Sequence, residues 1–201
     1  MTAGYKNLTG QVDAYIERVR AALSNLDSME INAFINALER ARQAGRQIFI
    51  MGNGGSASTA SHFVCDFNKG VSYASPDKPR FKFICLNDSV SQLSAYANDV
   101  GYEDAFLESL KNFFNPGDVV IGISGSGNSK NILNAVEYAN ANGGLTIGIT
   151  GYDGGRLREM ASLSVNAKID DMQVSEDIHM ILDHLVMSVV RDEDLRERNL
   201  A

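Results

Sequence analysis

The 201-residue chain holds only two cysteines, Cys65 and Cys85, and each lies inside an apolar stretch. Two are too few for a disulfide framework, and no leader-like segment precedes them, so a reduced, cytoplasmic protein is expected. No apolar run approaches twenty residues, which argues against a helical membrane span. Basic charge is also short: 18 Lys and Arg stand against 25 Asp and Glu, a formal net charge of −7. The basic residues are scattered rather than gathered into a patch, so no nucleic-acid partner is expected. Histidine is the most informative scarcity. His62, His179 and His184 are the only three, and they fall in two short segments where a site would be sought.

What the chain does have is a repeated device. The apolar run Ile48 to Met51 is too short for a helix and reads as a buried strand, and it runs into Gly52-Asn53-Gly54-Gly55-Ser56. From Ala57 to Phe67 the small and apolar residues recur at helical spacing, with Ser56 or Ser58 available as N-cap. Strand, glycine turn and helix start together make an anion site, because glycines let backbone N–H groups approach a ligand at the positive end of the helix dipole. A single turn of this kind is as compatible with a plain structural turn. It is neither a P-loop nor the spaced dinucleotide fingerprint. The second copy shifts the balance: Asp118 to Ser124 is again strand-like and leads through Gly125-Ser126-Gly127-Asn128-Ser129 into a helical run. Ser124, Ser126 and Ser129 add hydroxyls, and hydroxyls with backbone N–H groups suit a phosphorylated metabolite better than a magnesium-bound nucleotide.

No break in composition divides the chain, so one α/β domain over residues 1–201 is expected. Two amphipathic helices come first, on Val12, Tyr15, Ile16, Val19, Leu23 and Leu26, then on Ile31, Phe34, Ile35 and Leu38. The stripe of the first of them either covers the domain's own sheet edge or packs on a second copy of the chain. Strands at 48–51, 81–86, 118–123, 145–150 and 163–169 then alternate with helices at 57–67, 90–98, 103–114, 129–142 and 155–161. This alternation implies a parallel sheet covered on both faces, with ligands at the carboxyl ends of the strands. Residues 68–80 read as the longest loop, either a lid or a passive connection.

Two helices carry the chemistry-bearing side chains. His62 and Asp66 are four apart, so they share a face about one turn beyond the first glycine turn. That pair is half of a metal or acid/base site, or a surface hydrogen bond. The last helix, near 173–191, puts Ile178, Ile181, Leu182, Leu185 and Val189 on one arc expected to face the sheet. Glu176, Met180, Asp183, His184 and Met187 fall on the other side. Methionines among acids and histidines suggest a face that is partly covered.

Gly52 to Ser56 with His62 and Asp66, then Asn98-Asp99, Ile123 to Ser129, Thr150 to Gly155, and Glu176 with His179 and His184 stand in the order and spacing of the sedoheptulose 7-phosphate (phosphoheptose) isomerases. The chain resembles that family over nearly its whole length. The resemblance implies a sugar isomerase (SIS) fold: a three-layer αβα sandwich with a five-stranded parallel sheet, preceded by N-terminal helices within 1–46 that serve partly in forming a homotetramer. It implies conversion of sedoheptulose 7-phosphate to D-glycero-D-manno-heptose 7-phosphate through an enediolate, for heptose in lipopolysaccharide or capsule. It further implies that Ser124, Gly125, Ser126 and Ser129 bind the phosphate. Asn53, Gly54, Gly55, Ser56, Asp66, Asn98, Asp99 and Glu176 would contact the sugar. One zinc ion per subunit would be held by His62, Asp66, Glu176 and His184, with Asp66 and His184 as the acid/base pair. Three positions depart from the family pattern: Asp66 replaces a Glu, Glu176 a Gln and Gly125 a Thr. They keep open an isomerase of another phosphosugar, and a non-catalytic SIS protein that senses phosphosugars or binds a replication initiator.

Overall fold

The computed structural model describes residues 5–200. Two helices, α1 (Thr9–Ser24) and α2 (Ser28–Gln43), precede the alternating part of the chain. Asp27 caps α2 by accepting a hydrogen bond from the Met29 N–H, the expected device for an otherwise orphaned first-turn donor. Then follow β1 (Ile48–Gly52), α3 (Gly55–Cys65), a π-helical turn (Asp66–Val71), α4 (Ser72–Ala74), β2 (Phe83–Cys85) and α5 (Val90–Asp99). A 3₁₀ turn (Tyr102–Asp104) leads into α6 (Ala105–Lys111), β3 (Val119–Ser124), α7 (Lys130–Ala141), β4 (Leu145–Thr150), α8 (Gly155–Met160), β5 (Leu163–Asn166) and α9 (Met172–Leu200).

The five strands are parallel in the order β2-β1-β3-β4-β5. Their side chains alternate between two cores, as a period of two requires. Ile48, Ile50, Ile121 and Ile147 pack with α2, α3 and α9 through Phe34, Leu38, Phe63, Leu182 and Val186. Phe49, Met51 and Val120 face the other way, against Phe106, Leu110, Ile132, Val136 and Leu157 of α6, α7 and α8. This is the expected three-layer αβα sandwich. The chain leaves β1 in one direction to reach β2 and returns to its other side for β3, so the sheet reverses between β1 and β3. Gly52 is in register with Ile123, and the turns that follow both strands therefore open side by side at this switch point.

Two expectations are corrected. Residues 68–74 are helical rather than loop. The helix begun by α3 runs on through the π turn to Ala74, with Phe67, Val71, Ser72 and Ser75 buried. The polar residues that read as loop are used internally: the Asn68 amide donates to the Phe83 carbonyl and accepts from the Phe83 N–H, each at 2.9 Å, and Ser72 Oγ joins Phe67 to Phe81. On α9 the buried face is rotated from the expected arc. Ile178 and Leu182 are buried, but the stripe continues through Ser175, His179, Asp183, Val186, Val190 and Asp194, while Val189 is exposed.

Candidate active site

The first glycine turn starts α3 without any side-chain cap, and Gly54 adopts φ +54° there. A left-handed residue at this point is cheap only for glycine, and the uncapped first turn leaves backbone donors for an anion. Asn53 is held in place by a reciprocal pair of amide hydrogen bonds with Asn131, at 3.0 and 2.9 Å, and by the Tyr102 hydroxyl donating at 2.7 Å. Asn87 fixes the strand end by bonding both the N–H and the carbonyl of Gly52. In the second turn Ser124 Oγ and Ser129 Oγ lie 3.2 Å apart, and Ser129 opens α7 with no side-chain cap. Gly127, at φ +65°, lies so close to the Gly154 carbonyl that a Cβ would collide with it. Both turns line one cavity of about 290 Å³, closed on the α9 side by Met172 and Glu176.

Further along α3 and α9 lies a second centre. His62 Nε2 and His184 Nε2 are 3.0 Å apart, and the Asp66 carboxylate stands 3.6 Å from the first and 3.9 Å from the second. Asp183 joins them, so that one donor atom from each of the four residues lies within 4.8 Å of the others. The rings are open to the surface, whereas Asp183 is fully buried and neither of its carboxylate oxygens has a hydrogen-bond partner. Burial, with the neighbouring Asp66 charge, pushes the Asp183 carboxyl up to about 8. One turn earlier on α9, burial lowers His179 from its ordinary value. The Thr150 main chain lies beside that ring without completing a hydrogen bond of ordinary geometry, and both ring nitrogens remain without partners.

The residues expected to form a site therefore fall into three places. His62, Asp66 and His184 converge. Asn53 to Ser56, Ser124 to Ser126, Ser129 and Glu176 surround the cavity. Glu176 is not among the converging donors; its carboxylate lies against Gly55, where a Cβ would strike it. Asn98 and Asp99 sit exposed at the end of α5 and bond to each other at 2.7 Å, away from the cavity lining. The sequence pattern does not single out Asn131, Tyr102 or Met172, and it sets Asp183 on the outward side of α9. Asn131 and Tyr102 act through Asn53 from 78 and 49 residues away, a distance at which sequence spacing carries no signal.

A family model described as a SIS domain matches residues 14–151. Together with the doubly wound sheet and the paired turns at its switch point, that match defines a SIS-domain protein. The phosphoheptose isomerase of Helicobacter pylori is 33% identical over 177 residues, covering 88% of this chain and 90% of that protein. That of Chlorobium phaeobacteroides is 33% identical over 181 residues, covering 88% and 78%. The solved structure of phosphoheptose isomerase GmhA from Neisseria gonorrhoeae matches with a TM-score of 0.83 at 25% identity, over 92% of this chain and 100% of that one. The chain belongs to the phosphoheptose isomerase family.

Proposed function

We propose that this phosphosugar isomerase interconverts sedoheptulose 7-phosphate and D-glycero-D-manno-heptose 7-phosphate with the help of a divalent metal. The observation that carries the reading is that α3 and α9 each run from the anion-binding cavity to the His62, Asp66 and His184 cluster. From Ser56 to His62 the helix rises about 9 Å, and from Glu176 to His184 about 12 Å. A phosphate bound at one end and a carbonyl worked on at the other suit an extended sugar phosphate.

In this reading Ser124, Ser126, Ser129 and the backbone around Gly125 bind the phosphate, and its binding energy holds the sugar in register for the reaction. Asn53, Gly54, Gly55, Ser56 and Glu176 orient the chain of hydroxyls. Asn98 and Asp99 stay candidates for sugar contact from their exposed position. Aldose-ketose isomerisation moves a proton between C1 and C2, with a second proton exchanged between the two oxygens. Asp66 takes the carbon-bound proton and returns it to the neighbouring carbon, and His184 serves the oxygens. The donor set fits a divalent ion: two imidazoles, a carboxylate, and a buried carboxylate with no other partner. When bound, zinc supplies the positive charge that steadies the enediolate oxygens.

The whole chain is proposed to act as one SIS unit that self-associates as a homotetramer. A reduced, cytoplasmic setting fits the free Cys65 and Cys85. Among the described residues no helix is long and apolar enough to cross a membrane.

Incubation with sedoheptulose 7-phosphate in deuterium oxide tests the reaction. The protein is expected to form the aldose and to place solvent deuterium on the carbon beside the carbonyl. Asp66→Asn keeps the shape but cannot accept a proton, so exchange should fall by about 10²- to 10⁴-fold while phosphosugar binding persists. Binding without exchange or product on any ketose phosphate would favour a non-catalytic sensing protein instead.

A further inference from the structure

We infer that Asp183 supplies the fourth ligand of the metal site, so that the ion is held within one chain by His62, Asp66, Asp183 and His184, and Glu176 belongs to the sugar cavity. The inference rests on the metal-assisted reading above for the presence of an ion, and it changes which residues grip it.

Three observations converge. The first is position: an Asp183 oxygen lies within 4.8 Å of a donor atom on each of the other three residues. A tetrahedral ion with bonds of about 2.0–2.1 Å keeps its donors about 3.3 Å apart, and the 3.0 to 3.9 Å already separating His62, Asp66 and His184 brackets that spacing. The second is an unmet need. Asp183 is 0% exposed, and both of its oxygens lack partners. A carboxylate buried in this way is costly unless a cation or strong donors face it. No Lys or Arg is paired with it among the described residues, and the groups that face it are the two imidazoles and Asp66. A divalent ion among these four residues would satisfy Asp183 and offset its repulsion with Asp66.

The third observation is where Glu176 goes. It lies eight residues before His184 on a continuous helix, roughly 12 Å along the axis. Its carboxylate rests on Gly55 at the start of α3 and lines the cavity with the serine turn. There it faces the hydroxyls of a bound sugar. Asp66 is short, and Asp183 approaches the same point from the buried side of α9. The two aspartates thus supply between them the carboxylate oxygens that close the set.

Metal content, cobalt(II) absorption and thermal unfolding of the untagged full chain test this, each measured for wild type, Asp183→Asn and Glu176→Ala. Wild type is expected to hold about one zinc ion per chain. Asp183→Asn should bind zinc at least about 10- to 100-fold more weakly, the range that loss of even an outer-shell partner costs. Its cobalt(II) absorption should change in shape. The metal-free Asp183→Asn protein should melt close to metal-free wild type, because one partnerless buried polar group replaces another of the same shape, while the rise in Tm on adding zinc shrinks. Glu176→Ala should keep its zinc and its cobalt(II) spectrum but bind phosphosugar more weakly. The opposite pattern, zinc lost in Glu176→Ala and kept in Asp183→Asn, would overturn the inference and return the fourth position to Glu176 of the same or a second copy. Isomerase assays of the same wild-type preparation separate the two levels: an active enzyme with that opposite pattern refutes only the ligand assignment, whereas a protein inactive on every ketose phosphate refutes the isomerase reading.

Discussion

His179 is the side chain whose environment contradicts its chemistry most plainly. It is buried in the α9 stripe with both nitrogens unpartnered, and burial lowers its pKa. The folded protein therefore binds this proton less readily than the unfolded chain, where histidine titrates near about 6.5. The contribution to stability is intact above that pH and is lost as the pH falls below it. Asp183, which burial raises to about 8, acts in the opposite sense over the same range, so thermal unfolding of the metal-free proteins between pH 7.5 and 5.5 should show His179→Leu gaining Tm relative to wild type as the pH falls. At pH 7.5 His179→Leu is expected to be neutral or mildly stabilising, since an apolar group replaces donors and acceptors that bond nothing. A pH profile of the same shape in both proteins would assign the acid sensitivity to other groups. The same residue shows why sequence reading failed on this helix. Ser175, His179 and Asp183 lie on its buried stripe, so a search for hydrophobic periodicity drifts toward Ile181, Leu185 and Val189, which are less buried. The glycine and serine turns were legible because few other residues can take such backbone positions beside a ligand. Asp183 was not, because its burial depends on packing between distant elements.

At the level of elements, strand and helix order could be read from the sequence, but the length of the first crossover could not. The apolar runs from β1 through β4 announced themselves, whereas Asn68, Gly70, Ser72 and Ser75 have the composition of a loop. Asn68 and Ser72 bond instead to residues 83 and 81, contacts that no local pattern records. Asn68 acts as a substitute strand for β2, which lies at the sheet edge, by offering one donor and one acceptor to Phe83. Such capping protects an edge that would otherwise present free backbone groups. Asn68→Ala leaves both Phe83 groups without this partner, at a cost of about 1–3 kcal/mol for each group kept from water. Chemical denaturation should show a lower midpoint with an unchanged m-value. An unaltered midpoint would mean that water replaces the amide freely.

For the whole molecule, α1 is the helix with apolar surface left over. Its inner side, with Val19, Ala22 and Leu23, packs on α9 and on Ala167, while Leu8, Val12 and Ile16 are 52, 55 and 43% exposed. An apolar stripe at helical spacing on the outside of the chain supports self-association through this helix. Sedimentation at micromolar concentration should show a tetramer for wild type and smaller species for a Val12→Asp, Ile16→Asp double variant, with far-UV circular dichroism unchanged. A fully active monomer would dismiss the assembly. At its far end, α9 is tied to α2 by the buried bidentate pair of Arg42 and Asp194, both bonds 2.7 Å. Helix α9 is one uninterrupted rod of 29 residues that borders the cavity of the two turns through Glu176 and the His62 and Asp66 cluster through His184, the two places where the proposed reaction seats the sugar and the ion. A rod cannot turn or slide at one of these places alone. Whatever position of α9 suits a seated sugar is also the position that the ion experiences. Any factor by which phosphosugar tightens or loosens the hold on zinc must then reappear, equal in size, as zinc's effect on the affinity for phosphosugar.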